Sequence, residues 1–282
     1  MSELKENPLV TVLIASYNSS DYISETIDSV LNQTYKNFEL IVVDDGSTDN
    51  TIDILESFSK KDQRVKFYEI SHSGRPAIPF NYGLRIAKGK YAAFLGSDDI
   101  WKKEKLNEQI KYLEKHLEDV LVYSMSVTFG DVNIFSPLYE VLPLPFRAAK
   151  NKQDLINIGN TLPASSVLAR LDIIKKVNYH DEDPELKLED YHLWLKMTDC
   201  GTMGFIPKIL VYYRIHKNQF SGNWDERRNR IKYLAKKTGL PIPEYKEIRN
   251  RGLILRIVRN LVHYSIYALT ELLSLFGKLF KK

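Results

Sequence analysis

The chain has 282 residues, 44% of them hydrophobic, an ordinary globular composition with ample apolar material for a core. Its single cysteine, Cys200, excludes an intramolecular disulfide and a cysteine-rich zinc site, and the charged N-terminus MSELKENPLV lacks the apolar core of a secretory signal; both features fit a reducing, cytoplasmic setting. The net charge of +4 is uneven, because residues 226–282 hold fourteen Lys and Arg against four Asp and Glu, leaving −6 for residues 1–225, a split that suggests two jobs in one chain.

The first hundred residues alternate strand and helix. Leu9-Val10-Thr11-Val12-Leu13-Ile14 is a short apolar, β-branched run that predicts a strand covered on both faces. Asp21 offers an N-cap to a helix carrying Ile23, Ile27, Val30 and Leu31 at helical spacing. Phe38-Glu39-Leu40-Ile41-Val42-Val43 predicts a second strand, cut off by Asp44-Asp45-Gly46-Ser47. Thr48 or Asp49 can cap the next helix, through Ile52, Leu55 and Phe58. A third strand is expected over Val65–Ile70, a helix over 77–87, and a fourth strand over Tyr91–Leu95, which stops at Gly96-Ser97-Asp98-Asp99. This alternation predicts a parallel sheet with helices on both faces. Ligands of such sheets bind outside the carboxyl ends of the strands, where both acid pairs fall. A polar helix (102–116), a strand at Val120–Tyr123, a proline-rich loop through Pro137, Pro143 and Pro145, and a helix bearing Glu189-Asp190-Tyr191-His192-Leu193-Trp194-Leu195 follow.

On turn chemistry alone, Asp44-Asp45-Gly46-Ser47 reads as a turn and helix cap. Two acid pairs at one sheet edge favour a second reading, in which one acid contacts a nucleobase or sugar and another binds Mg²⁺ or Mn²⁺, which prefer carboxylate oxygen. The blocks Val12-Leu13-Ile14-Ala15-Ser16-Tyr17-Asn18, Ser29-Val30-Leu31-Asn32-Gln33-Thr34-Tyr35, Glu39–Asp49, Ala87-Lys88-Gly89-Lys90-Tyr91, Ser97-Asp98-Asp99-Ile100-Trp101, Glu189–Leu195 and Tyr212-Tyr213-Arg214-Ile215-His216 resemble, in order and spacing over about 8–220, the family 2 glycosyltransferases. These are inverting enzymes of the GT-A fold, a Rossmann-like mixed α/β sheet with flanking helices, and they use nucleotide-sugars.

The resemblance implies a GT-A catalytic domain over 1–225, with a nucleotide-binding half (1–100) and an acceptor half (101–225). It implies nucleotide contacts from Ala15, Tyr17 (against the base), Asp45 (to a uracil ring), Arg75 and Asp98. It implies a Mn²⁺ or Mg²⁺ site drawn from Asp98, Asp99 and His216, and Asp190 as the base. Inversion needs a group to take the acceptor hydroxyl's proton and a cation to stabilise the departing diphosphate. One departure stands out, since Gly96-Ser97-Asp98 replaces the family's Asp-x-Asp. No Gln-x-x-Arg-Trp signature of processive synthases is present, which favours transfer of a single hexosyl or N-acetylhexosaminyl unit from a UDP-sugar. The rival readings are an impaired family member that binds a nucleotide-sugar or a partner protein, and a sugar nucleotidyltransferase. The latter usually carries a glycine- and base-rich loop that Ala15–Ser20 lacks.

The segment 226–282 is expected to be a basic helical tail. Between Leu253 and Phe280 polar positions form one stripe and Ile254, Ile257, Leu261, Leu272, Leu275 and Leu279 another, yet no charge-free run approaches the ~20 residues of a spanning helix. Such a tail can lie on an anionic membrane face, which would suit a lipid-linked or cell-surface glycan acceptor and a place on the inner face of the plasma membrane. The alternative is that it covers its own domain or a second subunit of a homo-oligomer. Nucleic acid is disfavoured, because the basic residues accompany a large apolar face.

Overall fold

A computed structural model describes residues 7–131, 141–143, 148–217 and 224–242. In chain order the elements are β1 (Val10–Ser16), α1 (Ile23–Leu31), β2 (Phe38–Asp44), α2 (Thr51–Lys61), β3 (Val65–Glu69), α3 (Ala77–Ile86), β4 (Tyr91–Gly96), β5 (Ile100–Trp101), α4 (Lys105–Leu113), β6 (Asp119–Gly130) and β7 (Val141–Leu142). They continue with α5 (Lys152–Ile158), a 3-10 turn (Ala164–Ser166), β8 (Leu168–Arg170), α6 (Leu171–Lys176), α7 (Glu189–Met197), β9 (Thr202–Ile215) and α8 (Trp224–Thr238).

One mixed sheet runs β3-β2-β1-β4-β8-β6-β9-β5, with β7 beside β6. The first four strands in this order are parallel, with Leu13 between Ile41 and Phe94. β8 then enters antiparallel to β4 and β6, and β9 runs parallel to β6. The parallel strands are apolar throughout because both faces are covered. Leu13, Ile41 and Phe94 face a core shared with Leu84 of α3, Trp194 of α7 and Leu234 of α8. Their neighbours Val12, Leu40 and Leu95 face Ile27 of α1, Leu55 of α2 and Ile110 of α4. The GT-A arrangement expected from the resemblance is therefore present.

Several local expectations shift. α1 begins at Ile23 without a side-chain cap; the carbonyl of Ser19 accepts from the Tyr22 and Ile23 N–H groups instead of Asp21 serving. Asp49 does hold the start of α2, accepting from the Thr51 N–H at 3.0 Å. The helix expected over 102–116 is only Lys105–Leu113, and the strand at Val120–Tyr123 extends to Gly130. The division at 225/226 falls inside α8, whose Ile231 and Leu234 are buried in the main core. The helix therefore belongs to the body and not to the tail. The amphipathic stripe of 253–280 and most of the proline-rich loop lie outside the described residues.

Candidate functional site

The parallel strands deliver their acids to one edge. Ser16 pairs with Asp44 and Ala15 with Gly96 across neighbouring strand ends, so Ala15 is flanked by the starts of both acidic turns. Asp44 is fully buried and closes its own turn, accepting from the Ser47 N–H at 2.7 Å and the Ser47 hydroxyl at 2.6 Å. Gly46 supplies the left-handed backbone, φ +77°, that this turn requires. The turn reading thus holds for Asp44, while the start of α2 is held by Asp49.

Asp45 does something else. Its carboxylate accepts from the N–H groups of Ser73 and Gly74 at 2.9 and 3.0 Å, and His72 Nδ1 lies 3.2 Å away. The ring of Tyr17, 45% exposed, stacks on His72 with centroids 4.1 Å apart. Tyr17, Asp45 and the 72–74 loop therefore form one patch in front of β1 and β2. Arg75 leaves this loop to donate to the carbonyl of Glu182 at 2.6 Å, bridging toward the segment before α7.

The second acidic turn is held from the far half of the chain. Asp99 is buried and turned inward, accepting from the Ser165 hydroxyl and from the Arg214 N–H at 2.9 Å. Burial, reinforced by the charge of Asp98, pushes its carboxyl well above the usual range. Asp99, expected among the metal ligands, has both oxygens on protein donors that support the turn. Asp98 stays partly open and contacts His216 Nε2 through Oδ2 at 2.8 Å. Arg214 braces the pair, donating from Nε to the Asp98 carbonyl at 2.8 Å and from Nη2 to Glu25 at 2.6 Å. A carboxylate and an imidazole are donors that Mn²⁺ accepts, and cations of this class complete their shells with phosphate oxygens and water. Asp98 and His216 thus fit a divalent cation, although among the described residues no group of three or more His, Cys, Asp or Glu converges as a metal site.

Gly96 lies against both acids. A Cβ there would lie 2.8 Å from Asp98 Oδ1 and 3.2 Å from Asp99 Oδ2, so a side chain at 96 would require these carboxylates to shift.

Asp190 stands in the first turn of α7, where the helix dipole favours negative charge. Its Oδ1 accepts from the Tyr191 N–H at 2.6 Å and its Oδ2 from Asn160 Nδ2 at 3.2 Å. Burial raises its carboxyl from the ordinary value despite these donors. Beside it, burial and then the charge of Asp190 push Glu189 up to about 7. His180 packs beneath, its ring edge-on to Phe94. Its Nδ1 lies 3.3 Å from the carbonyl of Glu189, Nε2 has no partner among the described residues, and burial lowers its pKa to about 4. Asn160, Ser165 and Arg214 took no part in the sequence-based site. Only Arg214 sat inside a recognised block.

The profile of Glycosyl transferase family 2 matches residues 11–175. The UDP-Glc:alpha-D-GlcNAc-diphosphoundecaprenol beta-1,3-glucosyltransferase WfaP of Escherichia coli is 34% identical over 218 residues, covering 76% of this chain and 80% of its own. Among solved structures, S. aureus TarS 1-349 in complex with UDP-GlcNAc superimposes with a TM-score of 0.66 at 22% identity, over 83% of this chain and 68% of that one. In a second structure of the same TarS segment the chain spans 60% of that chain. The mannosyltransferase PcManGT of Pyrobaculum calidifontis, in complex with GDP-Man and Mn²⁺, matches with a TM-score of 0.59 at 17% identity over 98% of this chain and 81% of its own. At these identities the structural likenesses speak for the fold.

Proposed function

Because the chain belongs to glycosyl transferase family 2, and is a glycosyltransferase, we propose that it moves a single hexosyl or N-acetylhexosaminyl unit from a UDP-sugar to an acceptor hydroxyl by one inverting displacement. The observation that carries this reading is the 2.8 Å contact between Asp98 and His216. It joins two residues 118 positions apart at the edge where Tyr17 and Asp45 also stand.

In this reading Tyr17 and Asp45 receive the base, with Ala15 as the floor of the nucleotide pocket and Arg75 beside it. Asp98 and His216 hold Mn²⁺ or Mg²⁺, which when bound supplies Lewis-acid stabilisation of the charge gathering on the diphosphate. Asp190 takes the proton of the acceptor hydroxyl while that oxygen bonds to the anomeric carbon. The bond from this carbon to the diphosphate breaks, and UDP departs with its electron pair. A base works best with a pKa near the operating pH, and the burial that raises Asp190 and Glu189 favours this.

Release of UDP is measured across a set of nucleotide-sugars with and without Mn²⁺ or Mg²⁺. One UDP-sugar should be turned over and chelator should stop it. Asp190→Asn should lower turnover by on the order of 10²-fold or more while UDP binding persists; turnover at the wild-type rate would remove Asp190 from this role. The glucosyl transfer named for WfaP supports a lipid-linked glycan as acceptor, and with it residence on the inner membrane face. No described helix is long and apolar enough to cross a membrane, so contact would come from residues 243–282, where eight Lys and Arg face three Asp and Glu. Flotation on anionic liposomes should separate the full chain from a 1–242 truncation; equal partitioning of the two sinks the membrane assignment.

A further inference from the structure

Two side chains five residues apart touch both ends of the proposed chemistry. Asn160 follows Gly159, whose φ of +84° ends α5, and donates from Nδ2 to Asp190 Oδ2 at 3.2 Å. Ser165, 3% exposed, accepts at its Oγ from the Gly96 N–H at 2.9 Å and donates the hydroxyl proton to Asp99. The stretch is fixed at its Ser165 end. The carbonyl of Ser165 accepts from Trp101 Nε1 at 2.8 Å, and that of Ser166 from Gln109 Nε2 at 2.7 Å. The Ser166 N–H closes back on the Pro163 carbonyl at 2.8 Å.

We propose that residues 160–165 form a strap whose ends, Asn160 and Ser165, are positioning residues: Asn160 orients the Asp190 carboxylate, and Ser165 holds the turn that presents Asp98. The inference rests on the reading of Asp190 as base and Asp98 as part of the cation and diphosphate site. Its physical basis is reach. Five residues span at most about 17 Å when extended, so this stretch sets an upper limit on the distance between its two contacts. An inverting displacement needs the base and the leaving group on opposite sides of one carbon, and small errors in that spacing are costly. The two contacts also differ in chemistry. Asn160 gives a neutral donor to a carboxylate, which favours its charged form; Ser165 passes a hydrogen bond from backbone to the buried acid behind Asp98. Among the described residues, Lys187, just before α7, and Arg230 on α8 are the cations that act on Glu189.

The experiment uses the full chain and four variants: Asn160→Ala, Ser165→Ala, Asp190→Asn and Asp98→Ala. Turnover is followed against pH, and UDP binding by calorimetry with Mn²⁺ present. Asn160→Ala removes a donor to the charged carboxylate, so the acidic limb of turnover should move to higher pH. Below that limb the rate should fall about tenfold against wild type, the lower end for a hydrogen bond to a charge, with UDP affinity unchanged. Ser165→Ala should leave the limb in place and weaken Mn²⁺-dependent UDP binding about tenfold, the usual scale for a group that orients a ligand. Ser165→Cys, a weaker donor of similar size, reads the same loss should the alanine variant not fold. If Asp190→Asn is inactive and Asp98→Ala binds UDP poorly, yet the strap variants keep the wild-type pH profile and affinity, the strap is overturned alone. Equal loss of both readouts in both strap variants overturns it too, because general loosening would act that way. If Asp190→Asn turns over normally, the underlying reading fails instead.

Discussion

His180 makes the stability of the protein depend on pH in a way that one substitution should expose. The imidazole is buried between Phe80 and Phe94, and burial holds its pKa near 4 against an ordinary 6.5. In the unfolded chain it takes up a proton below about pH 6.5, whereas in the folded chain it stays neutral until about 4. The contribution of the neutral ring is therefore fully present above 6.5 and is lost as pH falls through this window. At 1.36 kcal/mol per unit the lowered pKa corresponds to about 3 kcal/mol, a large part of the 5–15 kcal/mol typical of a domain. His180→Phe keeps a ring of similar shape, removes the unpartnered Nε2, and cannot titrate. Denaturant unfolding of both proteins from pH 7.5 to 4 should show wild type losing about 3 kcal/mol relative to the variant. A difference that stays constant within roughly 0.5 kcal/mol across that range would refute the reasoning. Glu189 supplies an internal control of opposite sign. Its carboxyl is raised to about 7, so its contribution is full below about 4.5 and fades as pH rises toward 7. Glu189→Gln should tilt the difference the other way.

Two more outcomes follow. Gly96→Asp restores the residue type usual in the family, yet the new Cβ meets Asp98 Oδ1 at 2.8 Å; Mn²⁺-dependent UDP affinity, read by calorimetry, should fall about tenfold or more, and a tighter-binding variant would contradict the packing argument. Truncation after residue 225 removes Ile231, Leu234 and Ile242 from the core and the Lys237 contacts to Asp181 and Asp183. At ~2 kcal/mol per buried side chain the apolar loss alone is about 6 kcal/mol, so the 1–225 chain should lose its cooperative thermal transition while 1–242 keeps it.

The parts of the fold that were legible are those with a local signature. β1, β2 and β4 are buried on both faces, so they read as unbroken apolar runs. β5, β7 and β8 are two or three residues long and offer no period to detect. β6 was cut short because its second half carries Ser124, Ser126 and Thr128, all buried; polar residues inside a sheet erase the alternation that would announce it. α8 was assigned to the tail because Arg227, Arg228, Arg230 and Lys232 outweigh Ile231 and Leu234 in any average, although the two apolar residues decide where the helix packs. The candidate site divides in the same way. Tyr17, Asp45, Asp98, Asp190 and His216 came from motif blocks. Asn160, Ser165 and Arg214 act through contacts spanning 30, 66 and 115 positions, and nothing in a window of sequence predicts such a partner.

Gly96 joins these lessons. Read along the chain, it is a lost acid and a gap in the metal motif. In space it faces the carboxylates of Asp98 and Asp99 at the end of β4, and its N–H is taken up by Ser165. The turn is thereby fastened from far along the chain: Ser165 and the Arg214 N–H hold Asp99, and the Arg214 side chain and His216 hold Asp98. A side chain at 96 would compete with Asp98 for the same space, so the glycine and the long-range contacts form one arrangement. Restoring the acid without altering Ser165 and Arg214 changes one member of that set, and the carboxylates of Asp98 and Asp99 must then shift to admit it.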